Sequence, residues 1–185
     1  MVRASLGLLL ALFAAAFWLT RAGAPPPPPA VGEGVFENVE LLLFPKADPE
    51  ARWRFSAREV RYDPKTRVAR VEGLSEGARY VEDALDLTLQ AKAIEIDRYD
   101  NLKTPQAVVE IPKECWKLYL EGEGTNPVRI DQARGFYAPR FRLEGPGVRV
   151  EGKGFRADFG LENASWRSGR EEWQTGGEDA CETTR

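Results

Sequence analysis

Residues 53–63 have the sequence WRFSAREVRYD, in which apolar side chains alternate with polar ones and then change phase. Trp53, Phe55 and Ala57 share one parity, and Val60 has the other. Period-two alternation predicts a β-strand with one buried face, because successive side chains of a strand point to opposite sides. The change of phase predicts a β-bulge or sharp bend between Ala57 and Val60 that returns the apolar side chains to the interior.

A second stretch repeats this pattern. Residues 89–97, LQAKAIEID, show the same change of phase between Ala91 and Ile94. Two occurrences predict long strands that turn a corner or pass between two sheets. Looser copies lie at residues 132–137 and 155–161. Coincidence is the alternative interpretation, because alanine followed by an aromatic or β-branched residue is common in β proteins and the copies are irregularly spaced.

The rest of the chain continues the period-two pattern, for example in residues 85–91 and 116–120. No stretch after residue 30 carries a helical stripe. Turn-forming sequences punctuate the runs at residues 63–65, 99–101, 125–127, 145–147 and 152–154. The sequence therefore predicts an all-β fold over residues 35–167, an antiparallel β-jellyroll or slit-like β-sandwich.

The N-terminal segment 1–21 predicts a single transmembrane helix. Its residues from Ala4 to Thr20 are almost all apolar. As a helix rising about 1.5 Å per residue, this run reaches roughly 25 Å, close to the ~30 Å thickness of a bilayer's hydrocarbon core. A cleaved signal peptide is the alternative interpretation, because Ala22-Gly23-Ala24 has the small-x-small pattern of a cleavage site. Both interpretations place the β domain beyond a membrane.

A proline-rich segment and a polar segment flank the predicted domain. Residues 22–34 form a linker that includes the unbroken proline run 25–29, which favours an extended polyproline II spacer. Residues 168–185 are polar and rich in charge, and they predict a disordered tail.

Charge and composition exclude several classes of function. The 26 basic and 29 acidic residues are interspersed and leave a net charge of -3, so no basic surface for nucleic acid is expected. Histidine is absent, and no metal or cofactor is expected. The candidate acids for a hydrolase are the pairs Asp97 with Asp100 and Glu121 with Glu123, but such pairs in turns and strands usually serve solvation. The sequence predicts that the protein is not an enzyme.

The two cysteines are Cys115 and Cys181. In an oxidising compartment they are a possible disulfide. Two unrelated thiols are the alternative interpretation.

Two stretches resemble the LptC family of lipopolysaccharide-transport proteins and the related OstA-like domains. One is the sequence WRFSA at residues 53–57, followed by Val60 and Tyr62, and the other is VRVEGKGFRAD at residues 148–158. The second resembles the family's glycine-x-glycine-apolar-x-alanine-aspartate signature, on Gly152, Gly154, Ala157 and Asp158. The resemblance covers roughly residues 35–166.

This resemblance implies a non-enzymatic, single-pass protein of the inner membrane whose β-jellyroll stands in the periplasm. The domain would accept lipopolysaccharide or a related glycolipid from the membrane subunits of an ABC transporter. It would pass the lipid toward the outer membrane along a bridge of OstA-like domains joined by edge-strand pairing. No cofactor is implied.

An acyl-chain slit must be long and apolar, because each methylene kept from water contributes about 0.8 kcal/mol. The apolar residues predicted to face inward and line it are Phe55, Val60, Tyr62, Leu87, Leu89, Ile94, Ile96, Val109, Trp116, Leu118, Phe141, Val148, Val150 and Phe155. For each residue taken singly a closed core is the favoured interpretation, and a non-catalytic envelope scaffold with such a core is the alternative function. Gly152 and Gly154 likewise either keep an edge open or serve as ordinary hairpin glycines.

Overall fold

Twelve β-strands connected by turns make up residues 32–173, which are the part of the chain that the computed structural model describes. The strands are β1 (Gly34–Leu43), β2 (Ala51–Asp63), β3 (Val68–Val81), β4 (Ala84–Gln90), β5 (Ala93–Ile96), β6 (Leu102–Thr104), β7 (Gln106–Ile111), β8 (Trp116–Glu121), β9 (Val128–Asp131), β10 (Gly135–Gly145), β11 (Val148–Ala157) and β12 (Ser168–Trp173). Every pairing between them is antiparallel. The prediction of an all-β antiparallel fold is confirmed.

The strands form a meander whose members are bent or broken at their middles. Both β4 and β5 pair with β3, with Ala78 opposite Thr88 and Val71 opposite Ile94. They are therefore two halves of one long strand, interrupted at residues 91–92. In the same way β6 and β7 pair with β9 and β8, which both pair with β10.

The bent strands divide the sheet into two layers. Layer one holds β4, β7, β8 and β12, and layer two holds β5, β6 and β9. The long strands β1, β2, β3, β10 and β11 run through both layers. Pairing closes into the ring β3-β4-β7-β8-β10-β9-β6-β5, so the result is a barrel-like closed sandwich around one apolar core.

A line of irregular backbone, which we call the crease, separates the two layers. On β2 it is a register shift between Ser56 and Ala57, where Ser75 of β3 is skipped, and next to it Arg58 is level with Gly73 of β3, which has a φ of 64°. Pro105 separates β6 from β7, and a proline cannot donate to a β-ladder. Gly154, with a φ of 70°, lies at the same level in β11. The predicted bends at Ala57–Val60 and Ala91–Ile94 are confirmed, because both fall on the crease.

The structure differs from the sequence prediction at two places, residues 152–154 and residues 168–173. Residues 152–154 lie inside β11, where Gly152 pairs with Phe141, and do not form a turn. The turn predicted at residues 125–127 is present: Glu123 and Asn126 pair their backbones around Gly124 and Thr125, in the segment that joins β8 to β9. Ser168–Trp173, in the predicted tail, form β12, because backbone pairing with β11 holds a strand whose six side chains are all exposed.

The predicted anchor, most of the linker and the end of the tail lie outside the described residues. Between residues 32 and 173, the structure contains no helix with the length and apolar character of a membrane span.

Candidate functional site

The interior between the two layers is lined by apolar side chains. Trp53, Phe55, Phe136 and Phe155 are at most 1% exposed, and they pack with aliphatic residues from both layers. Phe141 stacks on Phe155 with ring centroids 4.5 Å apart. The interior is therefore a continuous apolar compartment that crosses the sandwich.

Most residues predicted to line a slit lie in this compartment. Those that are buried there are Phe55, Val60, Leu87, Leu89, Ile94, Ile96, Val109, Leu118, Phe141, Val150 and Phe155. Trp116 and Val148 are partly buried against it. Tyr62 differs from the prediction: it is 40% exposed, because it lies near the end of β2 opposite Gly34, beyond the last interior residue of that strand.

The side of the sandwich opposite the crease, which we call the mouth, is closed by contacts between the two layers that involve side chains. Trp53 of layer one donates its indole N–H to Oε1 of Gln132, in the β9–β10 turn of layer two, at 2.9 Å. The backbone N–H of Lys46 donates to Oδ2 of Asp100 at 3.3 Å. Backbone ladders hold the crease, whereas the mouth depends on individual groups.

A buried arginine occupies the layer-one side of the mouth. The side chain of Arg79 is 6% exposed and forms ion pairs with Asp48 and Asp86. Its guanidinium carbon lies 4.0 Å from the centroid of the ring of Phe159, a residue of the loop after β11. Arg79 thus connects the β1–β2 turn, β4 and that loop.

Phe159 fills the mouth between the layers. Its ring makes edge contacts with Phe136, at a centroid distance of 5.3 Å, and with Trp53, at 6.4 Å. Phe159 is partly exposed, while both of its aromatic partners are fully buried. It therefore covers the entrance to the apolar compartment.

Two donors of this region have no hydrogen-bond partner among the described residues: Nε2 of Gln132 and Nε of Arg79. Gln132 is 2% exposed. Its amide orientation follows from chemistry, because the Trp53 indole only donates and must therefore meet the amide oxygen. Leaving a buried donor unpaired costs about 1–3 kcal/mol. An acceptor placed beside Nε2 of Gln132 at the mouth would therefore be bound favourably.

The residues of the glycine motif have separate structural roles. Gly154 supplies the left-handed conformation at the crease, and Gly152 lies under the Phe141 ring beside β12. Ala157 is buried. Asp158 accepts hydrogen bonds from Asn163 in the loop after β11, including one of 2.6 Å from Nδ2. The motif therefore sets the backbone conformation of β11 and of the loop that follows it.

Substituting Gly152 by alanine should detach β12. The new Cβ would collide with the carbonyl oxygen of Ser168 and lie 2.8 Å from the Phe141 ring. We expect a loss of about 2 kcal/mol in unfolding free energy and faster amide exchange in β12, measured by urea denaturation and hydrogen exchange. Gly160→Ala is the matched control, since its Cβ meets nothing closer than 3.7 Å. Unchanged exchange in β12 would contradict the expected collision.

Of the four carboxylates considered for an enzyme, those of Asp97, Asp100 and Glu121 form hydrogen bonds or an ion pair. Asp97 accepts hydrogen bonds from the backbone N–H groups of Tyr99 and Asn101. Glu121 forms a 2.9 Å ion pair with Arg140. The backbone of Glu123 is paired with that of Asn126. Asp100 accepts a hydrogen bond from the backbone N–H of Lys46. All four acidic residues therefore lie in turns or exposed strands.

The outer face of layer one carries an open groove of about 540 Å³. Three of its arginines are paired: Arg149 donates from Nη2 to Glu151 at 2.6 Å, Arg142 lies 3.2 Å from Glu144, and Arg140 lies 2.9 Å from Glu121. The hydrogen bond from Arg149 holds the pKa of Glu151 below its usual value. Lys153 and Arg170 also line the groove and form no ion pair among the described residues, so its positive charge is only partly paired.

Within residues 32–173, each of the two end strands of the meander, β1 and β12, is paired along one edge only. The β1 end is apolar, with Val35, Phe36, Leu42 and Phe44 each at least 50% exposed. β12 is instead polar apart from its last residue, Trp173, and all six of its residues are exposed. The ends therefore present different surfaces for strand addition.

Cys115 lies in the turn before β8, with a φ of 57°. Cys181 is outside the described residues. The possible disulfide between them stays a prediction.

Three mouth residues were absent from the predicted site. Gln132 and Arg79 are polar, and their burial cannot be inferred from an apolar pattern. Phe159 is an aromatic residue directly after the glycine motif, and that position is the signal that could have identified it.

Neither a scan of protein-family models nor a search of curated proteins finds a match to this chain.

Proposed function

We propose that the protein is a membrane-anchored lipid-transfer component of the cell envelope. It accepts an acylated glycolipid of the lipopolysaccharide type from an inner-membrane ABC transporter and passes it to the next β-domain of a bridge toward the outer membrane. The observation that supports this proposal best is the apolar compartment between two layers that backbone pairing joins at the crease and side chains close at the mouth.

The energetics of the compartment suit acyl chains. Its lining is made of aliphatic and aromatic groups from both layers, and each methylene moved into it from water contributes about 0.8 kcal/mol. The present interior is filled by its own side chains, so a lipid enters only if the layers separate. Opening at the mouth breaks side-chain contacts and leaves the ladders of both layers intact.

The free edges of β1 and β12 supply the proposed joints of the bridge. Strand addition continues the hydrogen-bonding ladder of one domain into the next. Because β1 carries exposed apolar side chains and β12 carries charged ones, the two joints would take different partners. An inner-membrane transporter domain and an OstA-like periplasmic domain are the proposed pair.

Photo-crosslinking in cells tests the lipid proposal. A photoreactive residue in place of Phe55 or Phe155, each at most 1% exposed, should crosslink to envelope glycolipid in an ATP-dependent manner. The same residue in place of Tyr99, which is 62% exposed in a turn, is the control and should give no lipid adduct. Absence of adducts at both interior positions, with the protein folded and in place, would reject lipid transfer.

A non-catalytic scaffold is the second candidate, and the close aromatic packing of the interior favours it. Trp53 stacks on Phe55 with centroids 5.6 Å apart, and Phe141 contacts both Phe155 and Trp166. A scaffold keeps this core closed at all times. It predicts that the purified protein carries no acyl-chain material in native mass spectrometry, whereas the lipid carrier does.

A further inference from the structure

Phe159 is attached to the mouth by its side chain and not by a β-ladder. Its loop, residues 158–167, has its own backbone hydrogen bonds, such as Leu161 N–H to Asp158 O at 3.2 Å. It is also tied to β11 through the paired backbones of Arg156 and Ser165. The contacts of Phe159 with Trp53 and Arg79 of layer one are ring contacts. Phe159 can therefore leave the mouth while every strand of the sandwich remains paired.

The place that Phe159 occupies is suited to an apolar chain. Two of its walls are the fully buried rings of Trp53 and Phe136, and the compartment continues behind them. Moving the Phe159 ring outward would expose those walls to water, which is unfavourable unless another apolar group replaces it.

The polar groups nearby determine which head group such a chain carries. Gln132 has a buried donor, Nε2, whose partner is missing among the described residues, and its acceptor is already used by Trp53. The ion-pair cluster of Arg79 with Asp48 and Asp86 holds one positive and two negative formal charges. A further anion is therefore disfavoured at the mouth, while a neutral carbonyl oxygen satisfies the Gln132 donor without adding charge.

We propose that the mouth is a binding site for an acyl chain linked through a neutral ester or amide carbonyl, and that Phe159 is its resident plug. The chain replaces the Phe159 ring against Trp53 and Phe136. The carbonyl oxygen accepts a hydrogen bond from Nε2 of Gln132. This inference rests on the proposed lipid transfer and names where the lipid enters and which group recognises it.

Removing the Phe159 ring tests whether it blocks the binding site. The full chain and its Phe159→Ala variant are titrated with 1-lauroylglycerol, and binding is followed by calorimetry. We expect Phe159→Ala to bind about tenfold more tightly, since the probe no longer displaces a buried ring. Leu161→Ala is the matched control, because it removes a partly buried residue of the same loop that makes no ring contact with Trp53. Equal affinity of the wild-type chain and Phe159→Ala for the probe would overturn the proposal that Phe159 occupies the acyl-chain site.

A pair of probes tests the carbonyl. The ether 1-dodecylglycerol has the same chain length but lacks the carbonyl oxygen. We expect the wild-type chain to prefer the ester about tenfold, and Gln132→Leu to lose that preference. If Gln132→Leu does not fold, Gln132→Glu serves, because it keeps an acceptor for the Trp53 indole and removes the donor. Equal binding of ester and ether by the wild-type chain would overturn the role of Gln132.

These outcomes are distinguishable from failure of the proposed function. Interior crosslinks from Phe55 and Phe155 report on glycolipid passage by any entrance. If they form while Phe159→Ala and Gln132→Leu bind the probes as the wild-type chain does, lipid transfer stands and this entrance is wrong. If no interior crosslink forms in cells, the proposed function fails whatever the purified chain binds.

Discussion

Replacement of Trp53 by alanine should lower the unfolding free energy by about 4 kcal/mol, the largest effect we expect from a single core substitution. The indole is fully buried, stacks on Phe55 and contacts Phe159. Its loss leaves a cavity and removes the N–H that satisfies Oε1 of Gln132. Urea denaturation of the purified protein, followed by circular dichroism, measures the change.

Two further variants separate the parts of this effect. Trp53→Phe keeps most of the ring packing and removes the donor, so about half of the loss should remain. Trp173→Ala, at a residue 78% exposed on β12, should change stability by less than about 0.5 kcal/mol. A Trp53→Ala variant as stable as Trp173→Ala would mean that the two layers are not joined through Trp53.

Replacement of Arg79 by methionine should cost about 3 kcal/mol. Asp48 and Asp86 would lose the cation between them, and the Phe159 ring would lose the guanidinium that lies over it. The two carboxylate side chains are 23% and 26% exposed, which limits the cost because water still solvates them in part. Denaturation in urea at neutral pH measures this loss.

Two further substitutions should restore the stability of the Arg79→Met variant. Adding Asp48→Asn and Asp86→Asn to Arg79→Met removes the uncompensated charges and should recover most of the lost stability. If the triple variant is no more stable than Arg79→Met, the arginine acts through packing against Phe159 and not through its ion pairs.

The fold could be predicted largely from one kind of signal. Period-two alternation places Trp53, Phe55 and Ala57 on one face, and the change of parity before Val60 marks the crease, where the register shift occurs. The same argument located the interruption between Ala91 and Ile94. β12 could not be predicted in this way, because a strand with six exposed side chains has no apolar face and is defined only by its pairing with β11.

The interior was more predictable than the mouth. Apolar residues such as Leu89 and Phe155 are buried for the reason their parity suggests. Gln132 and Arg79 are buried because turns and strands far apart in sequence meet there: Gln132 bonds a tryptophan 79 residues away, and Arg79 pairs with an aspartate 31 residues away. Such long-range polar contacts leave no periodic trace in a sequence.

The crease has a consequence for how this chain folds. Since each long strand pairs with its neighbours in sequence, in both layers at once, the backbone ladder can grow hairpin by hairpin, and no strand waits for a distant partner. The architecture is close to one-dimensional, as in solenoid proteins, where stability is a sum over adjacent units. Fraying then begins at the strands β1 and β12, which lie outside the closed ring and each pair with one strand among residues 32–173.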